Sequence, residues 1–174
     1  MRLYQLGFAL FKKRNSGLSA LVYGVPLASV LLAHTSYAQV YDRTVGQGQS
    51  FDMSGISVNN LYNYGYTNIY GNSSVVGKTT TSGILSSANI NYWNDITNSG
   101  SAMIVGGQVQ GTVTNQSGGT FSHTNGTITG GLDNSGGALL SGGTINSTVT
   151  NQSNGTFTAT NENFKSALNT AGIT

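Results

Sequence analysis

Slid against itself, this sequence pairs residues 96–125 with residues 132–161 at an offset of 36, without a gap and with seventeen of thirty positions identical. The densest block sets Val113 to Phe121, VTNQSGGTF, against Val149 to Phe157, VTNQSNGTF. Apolar character is mostly kept where residues differ, as in Ile96/Leu132, Met103/Leu139, Ile104/Leu140 and Val109/Ile145. A weaker half-period runs inside the 36. Asn98, Asn115, Asn134 and Asn151 are separated by 17, 19 and 17 residues, each with an apolar residue two positions before it and another six after it. Helical repeats need roughly 33–47 residues and helix formers. A unit of 17–19 residues built from Thr, Ser, Asn, Gly and Val is instead the size of one coil of a parallel β-solenoid.

The expected fold is therefore all-β, a parallel β-helix with 17–19-residue coils. Coils stack at about 4.8 Å, so equivalent positions lie above one another in columns along the axis. Val, Ile, Leu and Phe are expected inside. Asn98, Asn115, Asn134 and Asn151 are expected as a structural ladder at a corner, each amide donating to the next carbonyl as in stacked cross-β assemblies. Glycines are expected at corners that need positive φ. Threonines flanking an apolar residue, as in Thr112-Val113-Thr114 and Thr148-Val149-Thr150, point outward.

Outside the repeat the chain divides into segments of different character. Residues 1–38 read as a signal peptide: a basic stretch to Arg14, an apolar run from Leu18 to Ala33 too short to span a bilayer, and Ser36-Tyr37-Ala38 before a cleavage between Ala38 and Gln39. The chain is thus expected to be exported, from periplasm to cell surface or medium. Residues 39–95 share the vocabulary of the repeat without a recognisable register, and are expected as an N-terminal cap or irregular coils. They carry most of the aromatics, and Tyr62, Tyr64 and Tyr66, alternate residues of one strand, are a candidate binding platform for a sugar or peptide. Residues 96–161 are the repeat. Residues 162–174 form a tail in which Asn161 as N-cap, Phe164 and Leu168 one turn apart, and Gly172 as stop suggest a short helix.

Little chemistry is legible. Four of the seven basic residues lie in the first fourteen positions, and beyond residue 38 three basic residues face five acidic ones, which argues against nucleic acid as partner. With no cysteine there is no thiolate metal site or thiol nucleophile. Gly71 to Thr79 resembles a phosphate-binding loop but has five residues between its glycines where the motif has four. His123, matched in the repeat by Ala159, reads as a solvated surface histidine without a triad or cluster. No catalytic residue, cofactor-binding residue or metal ligand is expected, and the chain reads as non-enzymatic.

Taken together, the basic leader, the Ala38-Gln39 junction and imperfect Ser/Thr/Asn/Gly repeats such as Ser141 to Asn161 resemble the signal peptide and start of the passenger domain of a Gram-negative autotransporter adhesin. That resemblance implies a surface-displayed β-helix acting in adhesion, aggregation or biofilm formation. The implied partners are a ligand on a host or neighbouring cell or another copy of the chain. It also implies an outer-membrane translocator barrel, which residues 1–174 lack and which a missing C-terminal part or another protein would supply. The alternative is a secreted structural or amyloid-like fibre or matrix protein, polymerising through solenoid ends. An ice-binding solenoid is disfavoured because Thr-x-Thr pairs do not recur in register. A polysaccharide-degrading β-helix is disfavoured by the scarcity of acids.

Overall fold

The computed structural model describes residues 40–92 and 94–174. The expected signal peptide, its Ala38-Gln39 junction and Trp93 lie outside the described residues. Every element in the described part is a strand, and all pairings are parallel. The first coil holds β1 (Arg43–Val45), β2 (Ser50–Ser54) and β3 (Ser57–Val58), and the second β4 (Leu61–Asn63), β5 (Tyr66–Tyr70) and β6 (Ser74–Val75). The third holds β7 (Thr79–Thr81), β8 (Ile84–Ala88) and β9 (Asn91–Tyr92). The fourth holds β10 (Ile96–Asn98), β11 (Ser101–Val105) and β12 (Gln108–Val109), and the fifth β13 (Val113–Asn115), β14 (Thr120–Thr124) and β15 (Thr127–Ile128). In the sixth and seventh coils the second and third strands run together, as β16 (Leu132–Asn134) with β17 (Gly137–Ile145) and β18 (Val149–Asn151) with β19 (Thr156–Phe164). β20 (Leu168–Thr170) begins an eighth turn on β18.

The described part is thus a β-solenoid of about seven turns with three faces. Face 1 stacks β1, β4, β7, β10, β13, β16, β18 and β20. Face 2 stacks the five-residue strands β2, β5, β8, β11 and β14 with the first halves of β17 and β19, and face 3 stacks the short strands with the second halves. Residues 39–95 were expected as a cap or irregular coils, yet from Arg43 onward they are coils in the same parallel register as the repeat.

That register was hidden because the coils vary in length at different corners. Down the column that ends each face 1 strand, from Val45 to Thr170, the spacings are 18, 18, 17, 17, 19, 17 and 19. The alternation of 17 and 19 has one source. Two residues separate β10 from β11 and β16 from β17, whereas four separate β13 from β14 and β18 from β19. A long and a short corner alternate, so the sequence matches itself at 36 and only weakly at half that distance. For the same reason the apolar residues six after each asparagine fall in two columns. Phe121 and Phe157 stack with Ala102 and Ala138, and Ile104 and Leu140 stack with His123 and Ala159.

The core is a narrow apolar shaft filled by size matching. On face 2 Phe121 stands between Ala102 and Ala138, so a large side chain occupies the height that its small neighbours leave free. Tyr92, Leu61, Ile96 and Ile128 are among the largest side chains fully withdrawn from water, and burying each such group contributes about 1.5–3 kcal/mol.

The two corners flanking face 2 use glycine for different reasons. At the corner between faces 1 and 2, Gly65, Gly83, Gly100, Gly119, Gly136, Gly155 and Gly172 recur coil after coil, and a Cβ on Gly83, Gly100 or Gly136 would overlap the carbonyl oxygen of the glycine one coil below. Close backbone approach, not positive φ, excludes a side chain there. Between faces 2 and 3 the requirement is left-handed backbone, met by Gly55, Gly71, Asn89, Gly106, Asn125, Gly142 and Asn161.

The tail is a correction. Asn161 does not cap a helix; it takes φ 53 at that second corner, inside β19. Phe164 ends β19 and Leu168 starts β20, so their four-residue spacing spans the third corner. Lys165 N–H donates to the Ile145 carbonyl at 2.9 Å and Val149 N–H to the Ala167 carbonyl at 2.9 Å. Pairing with the preceding coil uses the backbone groups that a helix would need.

Candidate functional site

From Arg43 onward the exposed side chains of the described residues sit on the three faces or at the corners between them, so the candidate site is a surface and not a cleft. Two open depressions lie at the C-terminal end, one along β18 and β20 and one bounded by Phe157, Phe164 and Leu168, and neither draws titratable groups together. Among the described residues no group of three or more His, Asp or Glu is gathered, and no helix is long and apolar enough to cross a membrane.

Asn98, Asn115, Asn134 and Asn151 occupy one column of face 1, all fully buried. Asn98 Nδ2 donates to Asn115 Oδ1, Asn115 Nδ2 to Asn134 Oδ1 and Asn134 Nδ2 to Asn151 Oδ1, each at 2.7 Å. The same amides reach the start of face 2, as Asn98 Nδ2 does to the Thr120 carbonyl at 2.8 Å and Asn134 Nδ2 to the Thr156 carbonyl at 2.9 Å. The column continues upward in sequence as Thr81 and Asn63. Asn63 Nδ2 donates to Thr81 Oγ1 at 3.0 Å, and Thr67 Oγ1 donates to Asn63 Oδ1 at 2.9 Å. This ladder is interior and structural in its contacts.

The tyrosines do not form the platform expected of them. The chain turns at Tyr64 and Gly65, so Tyr62 lies half-buried on face 1, Tyr64 projects from the corner and Tyr66 lies on face 2. The alternation argument holds only while the strand continues, and the corner interrupts it.

Face 2 gives Tyr66 other companions. Its outward positions carry Tyr66, Tyr70, Ile84, Met103, Val105 and Leu139, all exposed, with Ile84 and Leu139 at 51% and 52%. Tyr66 pairs in register with Ile84, and Val105 with Ala88. Seven strands with outward positions at the first, third and fifth residue give twenty-one sites, of which Asp52 alone is charged. A β surface with a single charge and with large apolar groups exposed on four of its seven coils has the composition of an interaction surface. Sequence reading missed it because these residues look like core residues until the register shows which side they face. Face 1, by contrast, presents a single file of Thr44, Thr80, Thr97, Thr114 and Thr150, interrupted by Tyr62 and Asp133.

His123 is the other departure. It is fully buried on face 2, pointing inward between Ile104 and Leu140, its ring stacked on Phe121 with centroids 6.4 Å apart. Glu162 enters the same space from the seventh coil, its side chain wholly withdrawn from solvent. Gly126 and Gly143 make the room: a Cβ on Gly126 would stand 2.7 Å from His123 Nε2, and one on Gly143 would stand 3.0 Å from His123 Cε1 and 3.1 Å from Glu162 Oε1. Burial pulls the imidazole down to about 4 and pushes the carboxyl above its ordinary value.

Comparison with protein-family models, curated proteins and solved structures finds no match to this chain.

Proposed function

We propose that this chain is a non-enzymatic, exported solenoid of the adhesin passenger kind, acting in adhesion, aggregation or biofilm formation, with its translocator barrel supplied by a continuation of the chain or by another protein. The observation that supports this reading best is face 2: a broad, nearly uncharged β surface with exposed Tyr66, Tyr70, Ile84, Met103, Val105 and Leu139. Apolar and aromatic groups on a rigid scaffold meet a partner at low cost in conformational entropy, because the backbone holding them is already fixed. Function on such a fold resides in the surface that the scaffold presents, not in the fold itself.

The test is display of the chain on a bacterial surface through a heterologous barrel, read by cell settling and by adherence to plastic and to cultured cells. Cells displaying the chain are expected to aggregate or adhere, and Ile84→Lys with Leu139→Lys is expected to abolish the gain. Display without any change in settling or adherence defeats the proposal.

A second reading, a secreted fibre or matrix subunit, is favoured by one observation. Among the described residues, β1 pairs only with β4 and β20 only with β18, so parallel edges of the same three-faced outline are presented at both ends. Growth of fibres from purified chain would favour this reading over the first.

A further inference from the structure

We infer that face 2 is a self-association surface, on which a second copy of this chain packs its own face 2 about a two-fold axis running along β11. This rests on the proposed adhesive reading and names its partner.

Three features of the face select a copy of itself. Charge is the first: an isologous contact sets each residue against its own surface, so like charges are brought together, and face 2 has only Asp52 at its far edge to offer. Relief is the second. A two-fold axis parallel to the strands through the fourth coil keeps each column on itself and reverses the order of coils. The second coil then lies over the sixth, placing Tyr66 against Gly137 and Tyr70 against Ser141, large over small. The third coil lies over the fifth, placing Ile84 against Thr120, while Met103 on the axis meets its own copy. Area is the third. Five residues at about 3.3 Å and seven strands at about 4.8 Å make a face of roughly 550 Å², or about 1,100 Å² over both copies. That just clears the roughly 1,000 Å² of a specific interface, and so describes a reversible dimer and not an obligate one.

The absence of cysteine from the chain makes the axis directly testable. In the full chain, Met103→Cys puts two thiols at the two-fold, whereas Thr158→Cys, on the same face three coils from the axis, puts them about 29 Å apart. Mild oxidation is expected to link the Met103→Cys variant into a dimer at least tenfold faster than the Thr158→Cys variant. Sedimentation velocity of the unaltered chain is expected to show concentration-dependent dimers that Met103→Lys converts to monomers with an unchanged far-UV spectrum. Met103→Gln, which adds no charge, is expected to fall between the two.

Equal cross-linking of the two cysteine variants overturns the inference, as does a monomer at all concentrations. Fibres that persist in Met103→Lys overturn it in favour of contact through the ends. If the purified chain is monomeric while displaying cells still adhere, self-pairing fails and the adhesive reading stands. If displaying cells do not adhere either, both fail.

Discussion

His123 Nδ1 and Glu162 Oε1 face each other 3.9 Å apart inside the solenoid, both side chains sealed from water and neither making a hydrogen bond. The two groups come from coils five and seven, and the glycines at 126 and 143 leave the space between them. Among the described residues no other titratable group faces the pair: β11, β15 and β17 bring none, Asp133 of β16 points outward to Gln152, and Tyr92 lies on face 3 two coils from His123. Burial opposes charge on both partners, so it favours the neutral imidazole beside the protonated carboxyl.

The sign of the resulting pH dependence follows from each shift separately. The imidazole is depressed from 6.5 to about 4, so its contribution is present above 6.5 and lost as pH falls through 4. The carboxyl is raised from 4.5, so its contribution is present below 4.5 and lost as pH rises through its folded value. Thermal stability therefore carries two opposed arms: an acid arm set by His123, lost as pH falls from 6.5 through 4 and amounting to about 3 kcal/mol over that whole window, and an alkaline arm set by Glu162, lost as pH rises above 4.5. His123→Leu should remove the acid arm and Glu162→Gln the alkaline arm. Parallel melting curves for the native chain and both variants across pH 4–9 would sink this account.

Within the asparagine ladder, substitution in the middle weakens both neighbours. Asn115→Ala removes one acceptor of Asn98 Nδ2, which keeps the Thr120 carbonyl, and the shorter of two donors to Asn134 Oδ1, which keeps the Gly136 N–H, and it takes the Asn115 amide from the Gly119 and Gly137 carbonyls. The expected loss is about 2–4 kcal/mol, since four hydrogen bonds of about 1 kcal/mol each are lost and two of the groups keep a second partner. Thr81→Asn works in the opposite direction, joining Asn63 to Asn98 in one run, with an expected gain of about 1 kcal/mol. Chemical denaturation measures both, and a stabilised Asn115→Ala protein would contradict the ladder.

Glycine at the first corner is required by space. Gly83→Ala and Gly100→Ala each drive a Cβ into the carbonyl oxygen of the coil below and are expected to unfold the solenoid locally or to cost more than about 3 kcal/mol. Gly118→Ala meets nothing within 4 Å and is strained only by its φ of 82, a cost of about 1–2 kcal/mol. Equal melting temperatures for the Gly83 and Gly118 variants would contradict this ranking.

At the second corner the requirement is conformational. Asn125→Gly should match or slightly exceed the native stability, and Asn125→Val should lose about 1–3 kcal/mol, because a β-branched residue resists φ 54. A valine variant as stable as the glycine variant, measured by urea titration, would remove the argument.

Much of this architecture is legible in the sequence because solenoid coils are specified locally. Repeated Thr, Asn, Gly and apolar residues at 36 announce stacked strands, and four asparagines at nearly constant spacing announce a column. Other features were illegible for physical reasons. Coils of 18 residues conceal their register when the extra residue sits at one corner in one coil and at another in the next. The helix suggested by Phe164 and Leu168 rested on spacing alone, and hydrogen bonds to the preceding coil decided otherwise.

The sequence by itself determined the parallel β-solenoid, its coil length and the asparagine column, since each depends on residue type and spacing along the chain. Only the tertiary structure decided which side each strand residue faces. Ile84, Met103 and Leu139 have core composition but lie outside, and His123 and Glu162 have surface composition but lie inside. In a strand with a two-residue period, one residue more or less at a corner exchanges the two sides. The lengths of the corners, fixed by how each coil fits the one below, therefore settled what this protein shows to its surroundings.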